Sequence, residues 1–274
     1  MKHRITHTTL ALFHETLYNN INSKYQTDVM LRDVEKAFDK VWHTGLQYKL
    51  LQIGLHTCFT RTLCNDLSNK TETIQIGNFK GPAFAINSGE PQGGACLSPT
   101  LFSFFTHDMP EPLPNTDYIA FAHDITQITA GRCKYKDATR NTQYAIQQIN
   151  NYENKWKIKT NKNKFQIVPI SRIKTSVITI NNKILQYTNK GKILGLTFNT
   201  RGIIPQIKIL RDIANDNLTK MYRFHNLNSQ NKQNLYNALV RSALIYSPVF
   251  LNIISKSSVI HLQKIQNRVG NFLR

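Results

Sequence analysis

The chain has 274 residues, with 35 Lys and Arg against 16 Asp and Glu, giving a formal charge of +19. Its 41% apolar content, including 14 Phe, 11 Tyr and 2 Trp, excludes a disordered basic tail, because such tails lack the apolar surface that offsets the entropy of ordering. No uninterrupted run of about 18 apolar residues reads as a membrane span, and the polar, Thr-rich stretch after Met1 does not read as a signal peptide.

In chain order, Leu10, Phe13, Leu17 and Ile21 repeat at helical spacing and predict a helix over residues 5–24. Tyr25 to Leu31 reads as a strand running into Asp33. Leu46, Leu50, Leu51 and Ile53 before Gly54 predict a short amphipathic helix, with a second through Phe59 and Leu63. The β-rich runs Thr71–Ile76 and Phe79–Ile86 meet at Gly77-Asn78, a hairpin signal. After the glycine-rich loop Gly89–Gly94, Ser98 as cap and Pro99 in the first turn start a helix through Leu101, Phe102 and Phe105.

Tyr118–Ala122 and Ile125–Thr129 read as strands with His123-Asp124 between them, and residues 138–157 as a helix ending near Trp156. Short strands follow at Phe165–Pro169, Val177–Ile180, Ile184–Tyr187 and Ile193–Phe198, the middle pair turning at Asn181-Asn182. From Gln206 onward three helices are predicted, over about 206–225, 229–246 and 256–273.

The charge is unevenly placed. Residues 1–153 hold 14 basic and 14 acidic side chains, whereas residues 154–274 hold 21 basic ones against only Asp212 and Asp216, so the whole +19 lies in the second part. Such a field favours a polyanion, since each phosphate neutralised by Lys or Arg releases counterions. Heavy use of Lys, Asn and Ile throughout is also what an AT-rich coding sequence gives. Cys58, Cys64, Cys96 and Cys133 show neither CxxC nor zinc-type spacing, which predicts reduced thiols in an intracellular compartment.

Carboxylates at the end of one strand and in the turn of a neighbouring strand pair meet at one edge of an antiparallel sheet. That placement suits two divalent ions about 3.5 to 4 Å apart, one activating a hydroxyl and one stabilising a leaving oxygen on phosphorus. Magnesium wants oxygen ligands, and Asp33 and Asp124 are the candidates. An Asp after a strand is otherwise a common cap or turn residue.

Five segments extend the pattern: DVEKAFDKVWHTGLQYKLLQIGL from Asp33, GEPQGGACLSPTLFSFF from Gly89, YIAFAHD from Tyr118, WKIKTNKNKF from Trp156 and KILGL from Lys192. In this order they resemble the successive motifs of reverse transcriptases from non-LTR retrotransposons of the jockey and LINE-like kind, over almost the whole chain. The resemblance implies an α+β fold: a right-hand polymerase palm with an antiparallel sheet, partial fingers and a helical thumb. It divides the chain into partial fingers and palm over residues 1–200 and a thumb or connection segment over 201–274.

It further implies RNA-directed DNA polymerase activity with an RNA template, a DNA primer, deoxynucleoside triphosphates and two magnesium ions, acting inside the cell, and in the nucleus by the way such elements insert copies. Asp33 matches the first catalytic aspartate, a ligand of both metals. Phe38 matches the bulky residue that screens the sugar of the incoming nucleotide, and Pro91, Gln92 and Gly93 match the loop along nucleotide and template. Asn161 and Lys164 fall on the basic motif whose lysine assists the leaving pyrophosphate. Leu194 and Gly195 match the hairpin that grips the primer, although strand packing explains these two equally well.

Four departures matter. The family's catalytic hairpin carries two adjacent aspartates, but here Phe121-Ala122 precedes His123-Asp124, so His123 stands at the position of the missing aspartate. Imidazole is a poor magnesium ligand and suits zinc or copper better. Arg32 replaces an apolar strand residue, and a buried charge is expensive unless paired. Gly94-Ala95-Cys96 gives the nucleotide loop one residue too many. The chain starts where the family's fingers are already under way, with Arg4 as a candidate remnant of their basic patch. Together these predict a truncated, decayed copy with lost or impaired synthesis, or a non-catalytic or maturase-like nucleic-acid binder of the same fold.

Overall fold

A computed structural model describes residues 6–68, 70–89, 97–131, 135–161, 164–170, 177–180, 183–203, 205–244 and 256–273. Arg4, the loop residues Pro91, Gln92 and Gly93 with the following Gly94-Ala95-Cys96, and the turn Asn181-Asn182 lie outside the described residues. The fold is α+β, and its chain divides into two compact units. One comprises Asp28–Ile167 and Lys174–Tyr187, with Met1–His3; the other comprises Arg4–Thr27, Val168–Ile173 and Thr188–Arg274.

The largest sheet has four strands, most of whose residues belong to the first unit. Strand β1 (Gln26–Asp33) is followed by helices α2 (His43–Gln52) and α3 (Thr57–Leu67), helix α1 (Thr6–Asn22) having preceded it in the other unit. Four two-residue strands come next, β2 (Thr71–Glu72), β3 (Gln75–Ile76), β4 (Phe79–Lys80) and β5 (Phe84–Ala85). Then come α4 (Leu97–Phe105), β6 (Thr116–Phe121), β7 (Asp124–Gly131), α5 (Tyr135–Lys155), β8 (Gln166–Ile170), β9 (Ile178–Ile180) and β10 (Lys183–Leu185). The main sheet runs β6-β7-β1-β8, with β6 and β7 antiparallel.

Apolar side chains at helical spacing explain why the helices pack together, with α5 lying against β6 and β7 of the sheet. Leu46 and Leu50 of α2, Leu63 and Leu67 of α3, Leu101, Phe102 and Phe105 of α4, and Tyr152 with Trp156 at the end of α5 form one core. Met30, Ile146, Ile167, Ile178 and Ile180 form another. Full burial of a Leu or Phe contributes roughly 1.5–3 kcal/mol each, which is why these elements hold together.

The predicted hairpin of residues 71–86 does turn at Gly77, in the left-handed region at φ 59°. Its strands are shorter than predicted, because the pairing breaks into β2 with β5 and β3 with β4. Ile76 and Phe79 stay exposed, so no buried face extends the ladder.

In the second unit α1 buries Leu10, Phe13 and Leu17. Strands β11 (Lys190–Ile193) and β12 (Leu196–Asn199) form an antiparallel hairpin, where one strand was expected over 193–198. Leu194 and Gly195 make its turn with φ of 44° and 81°, a pair of left-handed residues that matches the twist of the flanking strands. Phe198 packs edge-on against Phe13 with centroids 5.1 Å apart.

Helix α6 (Pro205–Met221) continues into a 3-10 turn, Tyr222–Phe224. The next helical stretch is α7 (Ser229–Leu235), a π-helical segment (Tyr236–Arg241) and α8 (Ser242–Leu244), followed by α9 (Lys256–Leu273). Ala214, Leu218, Met221, Val240, Leu244, Ile265, Val269 and Phe272 are the shared core of this helical part.

Candidate active site

Sheet order places the chemistry. Because β7 lies beside β1, the C-terminal end of β1 sits next to the turn of the β6-β7 hairpin. That turn is Ala122-His123, one residue earlier than the sequence suggests: Phe121 pairs with Asp124, which is the first residue of β7. Ala122 adopts φ 49°, and the Val34 N–H donates to the His123 carbonyl at 3.3 Å. One ligand atom from each of Asp33, His123 and Asp124 lies within 4.8 Å of the others. His123 Nε2 is 3.9 Å from Asp33 Oδ1 and 4.0 Å from Asp124 Oδ1.

Lys164 reaches the same place from the segment after α5. Its Nζ is 2.6 Å from Asp33 Oδ2, and the hydrogen bond to Asp33 raises the lysine above its ordinary pKa. The backbone supports this approach, for the Asn161 N–H donates to the Asp33 carbonyl at 2.9 Å and the Lys164 N–H to the Asn161 carbonyl at 3.0 Å. Asp124 is pushed above the usual carboxylate range, first by burial and then by Asp33, with His123 and Lys164 pulling it down.

Phe38 stands over this groove with its ring edge-to-face against His123 at 6.2 Å and against Phe102 at 5.5 Å. The groove is open, about 360 Å³, and is lined by Asp33, Phe38, Asp39, His123, Asn161 and Lys164 among others. The glycine-rich loop enters at Gly89, whose φ of 99° needs glycine; a Cβ there would stand 3.0 Å from the Asp39 carbonyl oxygen. His43 Nε2 donates to the Gly89 carbonyl at 2.5 Å and the Gly89 N–H donates to Val41 at 2.9 Å. Leu194 and Gly195 belong to the other unit, where they form the β11-β12 turn.

Arg32 is not an unpaired charge. Its Nη1 lies 2.9 Å from Glu153 Oε1, with both side chains buried, and its Nη2 donates to Asn150 Oδ1 at 3.3 Å. The guanidinium also faces the Phe165 ring at 5.2 Å. The second Glu153 oxygen accepts from Thr160 at 3.1 Å, and Thr160 bridges Val34 beside Asp33. The sequence reading missed Glu153. The available signal was an acid on the apolar face of α5, seven residues after Ile146 and three before Trp156.

Two hard ions sharing one carboxylate need more anionic oxygen than this set supplies. Of the clustered donors only Asp33 and Asp124 are anionic, the third being the His123 imidazole, and one oxygen of Asp33 is already held by Lys164; Glu35 and Asp39 line the groove outside this cluster. The donors fit one divalent ion of borderline softness and do not fit a two-magnesium centre.

The chain belongs to the reverse transcriptase (RNA-dependent DNA polymerase) family, whose model matches residues 2–198. It is similar to the RNA-directed DNA polymerase from mobile element jockey of Drosophila melanogaster, at 26% identity over 92% of this chain and 28% of that protein. It is likewise similar to the probable RNA-directed DNA polymerase from transposon X-element of the same species, at 25% identity over 98% of this chain and 31% of that protein. The jockey enzyme of Drosophila funebris is 27% identical over 88% of this chain. The resemblance to non-LTR retrotransposon reverse transcriptases thus holds, and the chain spans less than a third of the length of these relatives. Among solved structures, apo telomerase from Candida tropicalis aligns at TM-score 0.49 and 13% identity, over 71% of this chain and 38% of that one. No helix among the described residues is long and apolar enough to cross a membrane.

Proposed function

We propose that the chain is the polymerase domain of an RNA-directed DNA polymerase of a mobile element, and that this copy holds template and primer better than it extends them. The reaction is attack of a DNA primer 3′-hydroxyl on the α-phosphate of a deoxynucleoside triphosphate, with release of pyrophosphate, on an RNA template. The observation that carries this reading is the meeting of Asp33, Asp124 and Lys164 at one sheet edge, in a chain of this family.

In this reading residues 1–200 are partial fingers and palm and residues 201–274 the thumb. Lys164 offers its ammonium to the triphosphate, offsetting the negative charge that builds up on the leaving pyrophosphate. The Phe38 ring occupies the space a 2′-hydroxyl would need. Pro91, Gln92 and Gly93 run along the nucleotide, and the Leu194-Gly195 turn supports the primer.

Impairment follows from His123. A neutral ring in place of a carboxylate removes anionic charge where the family's magnesium ions are held, and loss of one electrostatic group of this kind lowers rates by roughly 10²–10³. A purely nucleic-acid-binding role is the second reading, favoured by the same residue. Both predict that the chain binds an RNA–DNA hybrid in EDTA. Binding of poly(rA)·oligo(dT) by filter retention, with extension followed in magnesium, tests the proposal; absence of hybrid binding would overturn both readings.

A further inference from the structure

We infer that Asp33, His123 and Asp124 form a site for a single transition-metal ion of the zinc or cobalt class, with His123 setting its preference over magnesium, a proposal that rests on reading this sheet edge as the family's metal-holding corner. The geometry is close to that of a formed site. Donor atoms 2.0–2.2 Å from a zinc ion stand about 3.3–3.6 Å apart in a tetrahedral arrangement. His123 Nε2 lies at 3.9 and 4.0 Å from one oxygen of each aspartate, and all three donors lie within 4.8 Å of one another, so side-chain movement of about an ångström closes it.

The ring is oriented from both sides. Phe38 packs edge-to-face on it at 6.2 Å, and the backbone of His123 is held by the Val34 N–H at 3.3 Å. Asp33 is divided between two tasks: Oδ2 is taken by Lys164 at 2.6 Å, while Oδ1 faces His123. It therefore offers one oxygen to one ion. A set of one imidazole nitrogen and two carboxylate oxygens ranks zinc and cobalt well above magnesium, because nitrogen donors gain little from a hard, strongly hydrated ion.

The test uses the full chain and the metals alone. Cobalt binding is followed by its visible spectrum, zinc and magnesium by equilibrium dialysis, and imidazole coordination by electron spin-echo modulation from a directly bound nitrogen. The expected result is one cobalt per chain with a nitrogen signal, and zinc bound at least about 100-fold more tightly than magnesium. His123→Ala should weaken zinc about 10-fold or more with an unchanged melting temperature, and His123→Asp should narrow the zinc-to-magnesium ratio about 10-fold.

Equal affinity for zinc and magnesium, or cobalt bound without a nitrogen signal, would overturn the proposal. So would full zinc affinity in a folded His123→Ala variant. The spin-echo measurement decides the matter on the unmodified chain should a variant fail to fold. Hybrid binding in EDTA reports on the polymerase reading separately, so the two can fail independently.

Discussion

Arg32 and Glu153, 121 residues apart in the chain, form a buried ion pair with Nη1 and Oε1 2.9 Å apart. Through Thr160 the same carboxylate reaches the segment that brings Asn161 and Lys164 to Asp33. Arg32, which from sequence reads as a damaged strand position, is therefore part of the support of the site.

Removing one partner of this pair strands the other in the core. Arg32→Met is expected to destabilise the protein by about 3–5 kcal/mol, and the double variant Arg32→Met/Glu153→Leu to recover most of that loss. Urea denaturation of the two variants and the parent checks this. Equal destabilisation by the single and double changes would show that the pair is not the unit that matters.

Lys49 gives a pH prediction. Its side chain is fully buried, 2.5 Å from Asp108 and 3.7 Å from the Trp156 ring centroid, and it also donates to the Phe105 carbonyl. Burial pulls it down to about 8, against the upward pull of Asp108. The unfolded chain keeps its proton up to about pH 10.4, so between pH 8 and 10.4 the unfolded state binds more protons and stability gains with rising pH. Below pH 8 the burial penalty is present in full. Denaturation midpoints should thus rise from pH 7.5 to 9.5 in the parent relative to Lys49→Met; parallel curves would refute the assignment.

The basic second part predicts salt-dependent nucleic-acid binding. Lys208, Arg223 and Lys264 are exposed on α6, the 3-10 turn after it and α9. Changing all three to Ala should lower the slope of log affinity against log salt by about 2 to 3, as loss of up to three phosphate contacts requires. Fluorescence anisotropy with a labelled RNA–DNA hybrid between 50 and 200 mM salt, a range chosen as roughly that where such effects are large, measures it. An unchanged slope would place the binding surface elsewhere.

Much of the candidate site is legible in sequence, because each of its parts is marked by a local pattern. Asp33 ends a strand with an apolar centre at Val29–Leu31, the strand-forming runs on either side of Ala122-His123 pair as a hairpin, and Lys164 follows the end of α5 marked by Trp156. The β11-β12 turn is less so: Ile193 to Phe198 alternates well enough to read as one strand, and only Leu194-Gly195 in the left-handed region reveals two. Long-range polar pairing is hardest. Neither Arg32 with Glu153 nor Lys49 with Asp108 follows from any local period, although Arg32, Glu153 and Lys49 each sit among buried apolar side chains.

In the proposed reading, His123 is the lesion in an otherwise preserved reverse-transcriptase corner. Primer extension on poly(rA)·oligo(dT) in magnesium by the parent chain and by His123→Asp tests it most directly. The predicted result is little or no synthesis by the parent and recovery of about 10²-fold or more in the variant. A parent rate within a few-fold of the variant's, or a variant that binds hybrid and stays silent, would contradict it.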